Sequence, residues 1–407
     1  MHAPRPDIHA ATLRRDTHPA LRRRATQLAA LALLALVAAL PPDATAQPGA
    51  PRPRRRVPRR PNPVLVLPII AGRVNAIVPD GSGGWYIGGD FDRVGGLARS
   101  NLARVLADGS VALWNPDADG PVSALATDSG VVYVAGDFAR VGGEARGHLA
   151  ALDPDLGLAT LWDPEVDGPV SGLAVSGATV YAGGGFSRAG RQSRSHLAAI
   201  DAASGLATAW NPDVDAPVLT LALAGGTVYA GGCFSRVGGL PRSHLAAIDV
   251  ASGLPTLWRP EADAPVLALA LAGGTVYAGG CFSRIGGLPR GHLAAIDAGS
   301  GLPTSWNPDA DAPVDALALA GATVYAGGCF SRIGALPRAH LAALDVESGL
   351  ADLWTPDANA AVLALAMGGG AVYAVGSFTE IGGQSRDRLA PIDAASGLAR
   401  HWLLGVE

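Results

Sequence analysis

The chain of 407 residues has no lysine and only three cysteines, and aromatic residues make up 5% of it. So few cysteines, in an odd number, exclude a scaffold built on disulfide bonds. Charged residues reach only 16%, but the apolar fraction of 49% excludes a chain that is disordered throughout. G-x-S-x-G, H-E-x-x-H and P-loop motifs are also missing, so these common catalytic and nucleotide-binding signatures are excluded. With 54 glycines and 31 prolines, the chain is too rich in turns for a helical bundle.

The first 46 residues have the features of a signal peptide. Six arginines precede a purely apolar stretch from Leu28 to Leu40. Its 13 residues suit the apolar region of a signal peptide and fall short of the ~20 that span a bilayer. Ala44-Thr45-Ala46 provides a cleavage site, so we predict a secreted, periplasmic or cell-surface protein that begins at Gln47. A short uncleaved membrane anchor is the alternative. No later apolar run is long enough to cross a membrane.

Residues 47–63 form a segment rich in proline and arginine, QPGAPRPRRRVPRRPNP. Proline removes backbone donors and six like charges repel one another, so we expect an extended linker. Contact of this segment with an acidic surface is the alternative. Residues 64–407 hold 19 arginines and 32 acidic residues, a net charge of −13. That balance argues against nucleic acid as a partner of this part of the chain.

A unit of 47 or 48 residues is repeated seven times after the linker. One tryptophan, one tyrosine and one phenylalanine mark each unit. The tryptophans are spaced by 48 residues throughout: Trp114, Trp162, Trp210, Trp258, Trp306, Trp354 and Trp402. Trp85 is the one aromatic residue outside these three series. A fixed period of this length is typical of repeat architectures.

Each unit contains four short apolar runs separated by turn residues. In the fourth unit the runs are 217–223, 227–234, 244–249 and 256–258. Ala-Gly-Gly at 224–226 predicts a hairpin, and Asp249 to Gly253 predicts a second turn. A sheet of four short strands cannot bury both faces alone, whereas radial stacking covers each sheet with its neighbours. We therefore predict an all-β fold, a seven-bladed β-propeller of four-stranded antiparallel blades over residues 64–407. An open β-solenoid is the alternative.

Closure of the ring has two candidate segments. By the repeat register, Val64 to Leu67 takes the place of a fourth strand before the first unit. His401 to Leu404 takes the same place in the last unit. Completion of the last blade by either segment would remove an exposed strand edge. The sequence leaves both registers open.

The first unit carries a distinctive motif at residues 88–110, GGDFDRVGGLARSNLARVLADGS. It resembles the unit of the delta-60-repeat β-propeller family, G-G-x-F-x-x-x-x-G-x-x-R-x-x-L-A-x-L-x-x-D-G. Versions of it occur in all seven units, although Val375-Gly376 replaces the glycine pair in the last and six units alter the Asp-Gly turn. Kelch repeats are a second, weaker resemblance. The resemblance implies a propeller and little chemistry, because the family consists mostly of uncharacterised exported or surface-associated bacterial proteins.

The strongest polar pattern lies in the loops between units. Asn115, Asp117 and Asp119 carry oxygen atoms at alternate positions and Gly120 follows, as at the start of an EF-hand calcium loop. The twelfth position is Ala126, where that loop needs a bidentate glutamate. We keep calcium as a minor candidate ligand and expect no other cofactor. The preferred interpretation is that these side chains cap tight turns by bonding to the backbone.

Histidines and arginines recur at fixed places in the units. Five units contain Arg-x-His, ending in His148, His196, His244, His292 and His340. Equivalent residues of adjacent blades should lie roughly 13 Å apart, too far for a shared metal ion, so we predict structural hydrogen bonds. Two arginine series, from Arg93 to Arg332 and from Arg99 to Arg386, should bond to carboxylates or backbone carbonyls. A ring of arginines that binds an anion is the alternative.

Three cysteines, Cys233, Cys281 and Cys329, take one position in three successive units. The same spacing puts them beyond disulfide reach, so we predict separate and mostly buried thiols. Asp315, Gln192, Arg259 and Glu380 depart from the repeat. They mark where an asymmetric site would have to be built.

These observations favour a monomeric, exported binding or structural module without catalytic residues. Its partner would be a macromolecule or a cell-surface component. One alternative is an enzyme that uses carboxylates at the channel mouth, such as a glycoside hydrolase or lyase. The other is a lectin-like multivalent sugar binder, which would need exposed aromatic residues. Trp85 is the one aromatic residue outside the three repeated series, so it alone is expected to be free to contact a sugar.

Overall fold

The computed structural model describes residues 68–400, and every regular element in that range is a β-strand. Strands are numbered β1 to β34 along the chain. They form seven antiparallel sheets of three or four strands, which we call blades 1 to 7, and six further sheets of two short strands each. This part of the chain accordingly contains no helix long and apolar enough to cross a membrane. The predicted signal peptide and linker, and both segments considered for ring closure, lie outside the described residues.

Three strands build the body of each blade. The first strands, in order of blades, are β1 (Ile70–Pro79), β5 (Val122–Asp128), β10 (Val170–Ser176), β15 (Val218–Ala224), β20 (Val266–Ala272), β25 (Val314–Ala320) and β30 (Val362–Gly368). The second strands are β2 (Trp85–Val94), β6 (Val131–Gly136), β11 (Thr179–Gly184), β16 (Thr227–Gly232), β21 (Thr275–Gly280), β26 (Thr323–Gly328) and β31 (Ala371–Gly376). The third strands are β4 (Leu102–Val105), β9 (Leu149–Leu152), β14 (Leu197–Asp201), β19 (Leu245–Asp249), β24 (Leu293–Asp297), β29 (Leu341–Asp345) and β34 (Leu389–Asp393).

A short hairpin, which the sequence analysis missed, separates the second strand from the third. In blade 1 it consists of β3 (Leu97–Ala98) and the end of β2. In the other blades it is a pair of two-residue strands: β7 (Arg140–Val141) and β8 (Glu144–Ala145); β12 (Arg188–Ala189) and β13 (Gln192–Ser193); β17 (Arg236–Val237) and β18 (Leu240–Pro241); β22 (Arg284–Ile285) and β23 (Leu288–Pro289); β27 (Arg332–Ile333) and β28 (Leu336–Pro337); β32 (Glu380–Ile381) and β33 (Gln384–Ser385).

The predicted first turn has the expected geometry. In blade 4, Ala224 pairs with Thr227 and closes a two-residue loop. Gly225 and Gly226 take φ values of 54° and 78° there. Two successive positive φ angles define the turn that matches the twist of antiparallel strands, which explains the glycine pair.

The predicted fourth strand is present but short. In blade 4 it pairs with the third strand through one bridge, Ile248 to Pro255. The N–H of Thr256 then donates to the carbonyl of Ala247 at 2.8 Å. Equivalent bridges occur in all seven blades. The prediction of an all-β propeller with four-stranded antiparallel blades is therefore confirmed, with a fourth strand reduced to a few residues.

The blades pack face to face around a ring. First strands of neighbouring blades contact each other, and β30 of blade 7 also contacts β1 of blade 1. Each hydrophobic cluster draws residues from two blades, such as Tyr181, Leu197 and Trp210 of blade 3 with Phe234 of blade 4. The aromatic series thus fill the space between sheets, because each blade offers one apolar face to each neighbour.

The ring has two faces. The turn face carries the hairpins between first and second strands and the turns between third and fourth strands. The loop face carries the ends of the second strands, the short hairpins and the loops between blades. The fourth strands form the outer edge, because first strands meet at the centre.

Candidate functional site

Most of the repeated polar residues lie on the loop face. One series of them, an aspartate or asparagine in each blade from the second to the last, caps the end of the second strand. In blade 4, Asp215 Oδ1 accepts the N–H groups of Ser235 and Arg236, each at 2.9 Å. Asp215 Oδ2 accepts the Ser235 hydroxyl at 2.6 Å. Burial alone would raise the pKa of Asp215, but these hydrogen bonds outweigh it and hold the pKa below its ordinary value. Asp119, Asp167, Asp263, Asp311 and Asn359 cap the other blades from the second to the last.

The three calcium candidates are exposed on this face, and two of them have structural roles there. Asp119 Oδ1 accepts the N–H groups of Ala139 and Arg140 at 2.8 and 2.9 Å. Asp117 adopts a φ of 55°, a left-handed conformation that aspartate and asparagine tolerate best among side chains. Within residues 68–400, no group of three or more His, Cys, Asp or Glu residues is arranged to hold a metal ion. Asp117 and Asp119 thus have structural roles in the loop that they shape.

The histidines stand where the chain turns into the third strand. Their φ values lie between 58° and 66°, as do those of Asn101 and Arg388 at the same position. His244 Nδ1 lies 3.1 Å from the carbonyl oxygen of Gly232, a contact that recurs in blades 3, 5 and 6. The ring therefore fixes a left-handed backbone position and bonds to the end of the second strand. This agrees with the structural interpretation made from sequence.

Both arginine series bond to backbone carbonyls. Arg236 of the first series donates to Gly239 O at 2.6 Å within its own hairpin. Arg242 of the second series is buried and donates to Pro241 O and Thr256 O, which ties the hairpin to the fourth strand. Burial lowers the pKa of Arg242. These guanidinium groups therefore have structural partners, and carbonyls rather than carboxylates supply most of them.

The cysteines lie on the loop face, one residue beyond the second strand. All three are free and exposed, so the prediction of mostly buried thiols is wrong. The reason is local: the chain leaves the sheet after the glycine pair, and the next side chain is no longer covered. Cys329 Sγ lies 3.6 Å from Asp315 Oδ2. Partial desolvation of the sulfur raises the pKa of Cys281 and of Cys329, and the Asp315 carboxylate raises both further.

The innermost positions of the loop face differ between blades. A bulge near the start of each first strand presents one extra residue. These residues are Asn75, Ser123, Ser171, Leu219, Leu267, Asp315 and Leu363. Blades 1 to 3 are thus polar here, while blades 4 to 7 carry leucine apart from Asp315. Burial raises the pKa of Asp315 and outweighs the hydrogen bond from Cys329.

No aromatic side chain among the described residues is exposed. Trp85, expected to be free, is 3% exposed and stacks on Tyr373 of blade 7 with ring centroids 4.1 Å apart. The expectation for Trp85 is therefore wrong, because its position in the second strand faces the last blade. Stacking platforms for sugar rings are absent from residues 68–400, which counts against a lectin.

The most exposed of the large apolar side chains lie on the outer edge. Leu113, Leu161, Leu257 and Leu353, here called the leucine rim, precede the tryptophan of their units and are 95–98% exposed. A second row of exposed leucines lies beside them in the turns before the fourth strand: Leu158, Leu206, Leu254, Leu302, Leu350 and Leu398. The sequence signal was available, since Leu-Trp recurs in four described units and strand alternation points its leucine away from the buried indole.

Comparison with known proteins agrees with the fold. The model of a family described as "Domain of unknown function (DUF5122) beta-propeller" matches residues 79–111. The computationally designed Ika8 protein is similar at 16% identity and a TM-score of 0.54, over 82% of this chain and 87% of that chain. A chain in a crystal structure of the mitotic checkpoint complex is similar at 16% identity and a TM-score of 0.55, over 83% and 96% respectively. No curated protein matches. Such identities show the fold alone.

Proposed function

We propose that the protein is an exported, non-catalytic propeller of the delta-60-repeat type that binds a protein partner through the leucine rim. The observation that supports this most is the nearly complete exposure of Leu113, Leu161, Leu257 and Leu353. Soluble proteins expose single leucines freely, but a repeated apolar row is typical of an interaction surface. A β-propeller is a rigid scaffold on which such a row can be presented in fixed register.

The hydrogen bonding of the loop face supports the non-catalytic part of this proposal. Its aspartate, histidine and arginine series are each engaged in backbone hydrogen bonds that repeat from blade to blade. A catalytic site needs different groups in different roles, so it breaks the symmetry of a repeat. Asp315 is the clearest such break among the bulge residues, and its partner is a thiol with a raised pKa.

The chemistry of the partner follows from charge and export. The propeller with its flanking residues, 64–407, has a net charge of −13. A partner that has an apolar surface bordered by basic residues would complement both the leucine rim and this negative charge. The signal-peptide features of residues 1–46 support an encounter outside the cytoplasm.

Site-specific photo-crosslinking tests this proposal. A benzophenone amino acid replaces Leu257 in one full-length protein, and Glu144, exposed on the loop face, in a matched control. Each protein is irradiated with the extracellular fraction of its producing cells. We expect a discrete adduct from position 257 and none from position 144.

A second protein makes the result decisive. The substitutions L113S, L161S and L353S are added to the crosslinking chain, and unchanged circular dichroism and melting temperature verify the fold. The adduct should disappear because the rim is lost. An adduct that persists, or one that also forms at position 144, would contradict the proposal. Sedimentation of the pure protein checks the expected monomer and shows whether the adduct is a second copy.

An enzyme remains the second candidate, because Asp315 has a raised pKa beside the central axis. A carboxyl group with a raised pKa suits a general acid, and a glycosidase or lyase would need a second carboxylate opposite it. Release of reducing sugar from a panel of polysaccharides by the wild type, and its loss in D315N, would favour this function over the rim.

A further inference from the structure

Three thiols and one carboxylate lie on the loop face of the successive blades 4, 5 and 6. Cys233, Cys281 and Cys329 each follow the second strand of their blade, and all three are free and exposed. Asp315 is the bulge residue of blade 6, and its Oδ2 lies 3.6 Å from Cys329 Sγ. We call these four residues the thiol arc. It contains every cysteine of the chain.

The three thiols have the same local surroundings. The sequence VYAGGCFSR is identical in the three blades. Each cysteine N–H donates at 2.9 Å to a proline carbonyl: Cys233 to Pro217, Cys281 to Pro265 and Cys329 to Pro313. The other ionisable residues at this end of the second strand repeat with equivalent hydrogen bonds: His244, His292 and His340; Asp215, Asp263 and Asp311; Arg236, Arg284 and Arg332. A difference in reactivity between the thiols must therefore come from outside this repeated set.

The bulge residue beside each thiol supplies such a difference. Leucine takes this place in blades 4 and 5, as Leu219 and Leu267, whereas Asp315 takes it in blade 6. The Cys329 S–H donates to the Asp315 carboxylate. This bond favours the neutral thiol, and the negative charge repels a thiolate. Burial of the sulfur and the Asp315 carboxylate together raise the pKa of Cys329.

The effect of Asp315 extends to the preceding blade. Because β21 of blade 5 contacts β25 of blade 6, Cys281 lies next to the bulge of blade 6 as well as its own. Burial raises the pKa of Cys281, and Asp315 and Cys233 raise it further. On the same pattern Cys233 lies next to Leu219 and Leu267. Cys233 is thus the member of the thiol arc whose own and next bulge residues are both uncharged.

Two other uses of the thiol arc are disfavoured by its geometry. The cysteines are free, so no disulfide joins two of them. Over residues 68–400, no group of three or more His, Cys, Asp or Glu residues is arranged to hold a metal ion. An exposed thiol that has neither partner is available as a nucleophile once it is ionised.

We propose that the thiol arc is a modification site at which Cys233 reacts with a low-molecular-weight disulfide, while Asp315 slows the same reaction at Cys329 and Cys281. The Cys233 thiolate attacks one sulfur of the disulfide. A bond forms between Cys233 Sγ and that sulfur, and the original sulfur–sulfur bond breaks. Cys233 is oxidised to a mixed disulfide and the other sulfur leaves reduced. The proton that Cys233 released is matched by the one that the leaving thiolate takes up.

Oxidised glutathione, in excess over the reduced full-length protein at neutral pH, tests this proposal. Acid stops the reaction at intervals, and trypsin separates the three cysteines because Arg236 and Arg284 lie between them. Mass spectrometry of the peptides then gives the rate at each cysteine. We expect Cys233 to react at least ~3-fold faster than Cys329, and Cys281 to be slower than Cys233 as well. A smaller ratio, or no adduct at Cys233, would overturn the proposal.

Two reciprocal variants test the role of Asp315. D315N removes the charge and should raise the rates at Cys329 and Cys281 while leaving Cys233 unchanged. L219D places a carboxylate beside Cys233 and should slow that thiol alone. E144Q, at an exposed position on the loop face of blade 2, is the matched control and should change none of the three rates.

Circular dichroism and the melting temperature verify the fold of each variant. If D315N left the rates at Cys329 and Cys281 as low as in the wild type, Asp315 would have no part in the selectivity and the proposal would fail. This result stands on D315N alone if L219D does not fold.

Discussion

The contacts between successive blades and the contact between the last blade and the first use the same repeat but different side chains. At the junction of blades 5 and 6, Tyr277 and Trp306 meet edge to face at 5.2 Å and 75°. At the closing junction, Trp85 and Tyr373 lie 4.1 Å apart at 41°. Trp85 replaces a valine that the other six units keep before their tyrosine, such as Val276. Within residues 68–400, the closing junction thus contains a specialised contact that the internal junctions lack.

Neighbouring substitutions accommodate Trp85. Gly368 stands where Ala224, Ala272 and Ala320 stand in blades 4 to 6. A Cβ at Gly368 would lie 2.9 Å from the Trp85 ring, so alanine is excluded without a shift. Arg388 replaces a histidine, and its Nε donates across the junction to Gly72 O at 2.7 Å.

This difference has a general reason. Six junctions join blades connected by a loop, so the chain itself holds them together. The closing junction joins blades that lie at opposite ends of the sequence, and within residues 68–400 its contacts include the Trp85–Tyr373 pair and the bond from Arg388 to Gly72 O. If the closing junction opens, two sheet faces are exposed to solvent. Specialised side-chain packing at this junction therefore stabilises the ring.

Removal of an internal tryptophan should have the largest effect on stability. W258A deletes a buried indole from between two blades together with its hydrogen bond to Asp297. We expect a loss of about 3–5 kcal/mol in the free energy of unfolding, measured by urea denaturation. L257A, at an adjacent and almost fully exposed position, is the control and should cost under about 0.5 kcal/mol. Equal losses in the free energy of unfolding for W258A and L257A would show that the Trp258 indole does not stabilise the junction.

A double-mutant cycle tests the specialisation of the closing junction. G368A should cost about 1–3 kcal/mol in the wild type, because the new methyl group overlaps Trp85. In a W85V background, which restores the internal pair of alanine and valine, the same change should cost little. A coupling above about 1 kcal/mol is therefore expected. Strictly additive effects would mean that the two positions do not depend on each other.

The aspartate caps of internal blades should respond to acid. Asp263 accepts two N–H groups and the Ser283 hydroxyl, so D263A should cost about 1–2 kcal/mol at pH 7. Burial tends to raise the pKa of Asp263, but the hydrogen bond from Ser283 and the backbone bonds keep it below 3.8. Its contribution is therefore present above pH 4 and lost as the pH falls through the folded-state pKa.

Blade 7 provides the matched comparison for this cap. Asn359 there accepts the N–H of Thr379 at 2.9 Å and donates to its hydroxyl at 2.9 Å. D263N should accordingly cost less than D263A. Titration of unfolding from pH 7 to pH 3 should shrink the difference between wild type and D263A but not that between D263N and D263A. If the difference in free energy of unfolding between the wild type and D263A stayed constant over this pH range, the charge-based account would be refuted.

The smallest effect is expected at Asp315. D315L installs the residue found at this position in blades 4, 5 and 7 and should stabilise the protein by under about 1 kcal/mol at pH 7. Burial raises the pKa of Asp315 above 3.8, so its ionisation costs stability at neutral pH and none below the unfolded value. The advantage of D315L should thus vanish as the pH approaches 4. Destabilisation at pH 7 would instead favour a specific role for the carboxylate.

The repeat made much of this architecture predictable. Spaced aromatic residues indicated stacked sheets, and Gly225-Gly226 indicated a tight hairpin, since both signals depend on a few neighbouring residues. The structural roles of Asp119 and of the histidine series followed from the same local logic. Exposure of Cys281 was not predictable in this way, because it depends on where the chain leaves the sheet.

The sequence by itself determined the blade, because period, turn glycines and alternation are properties of about 48 residues that fold on one another. Tertiary structure alone decided what lies between distant units. It placed Trp85 against Tyr373 and brought the Arg388 guanidinium to Gly72 O. The physical reason is that ring closure sets these contacts through the packing of whole blades, and no stretch of sequence records which blade becomes its neighbour.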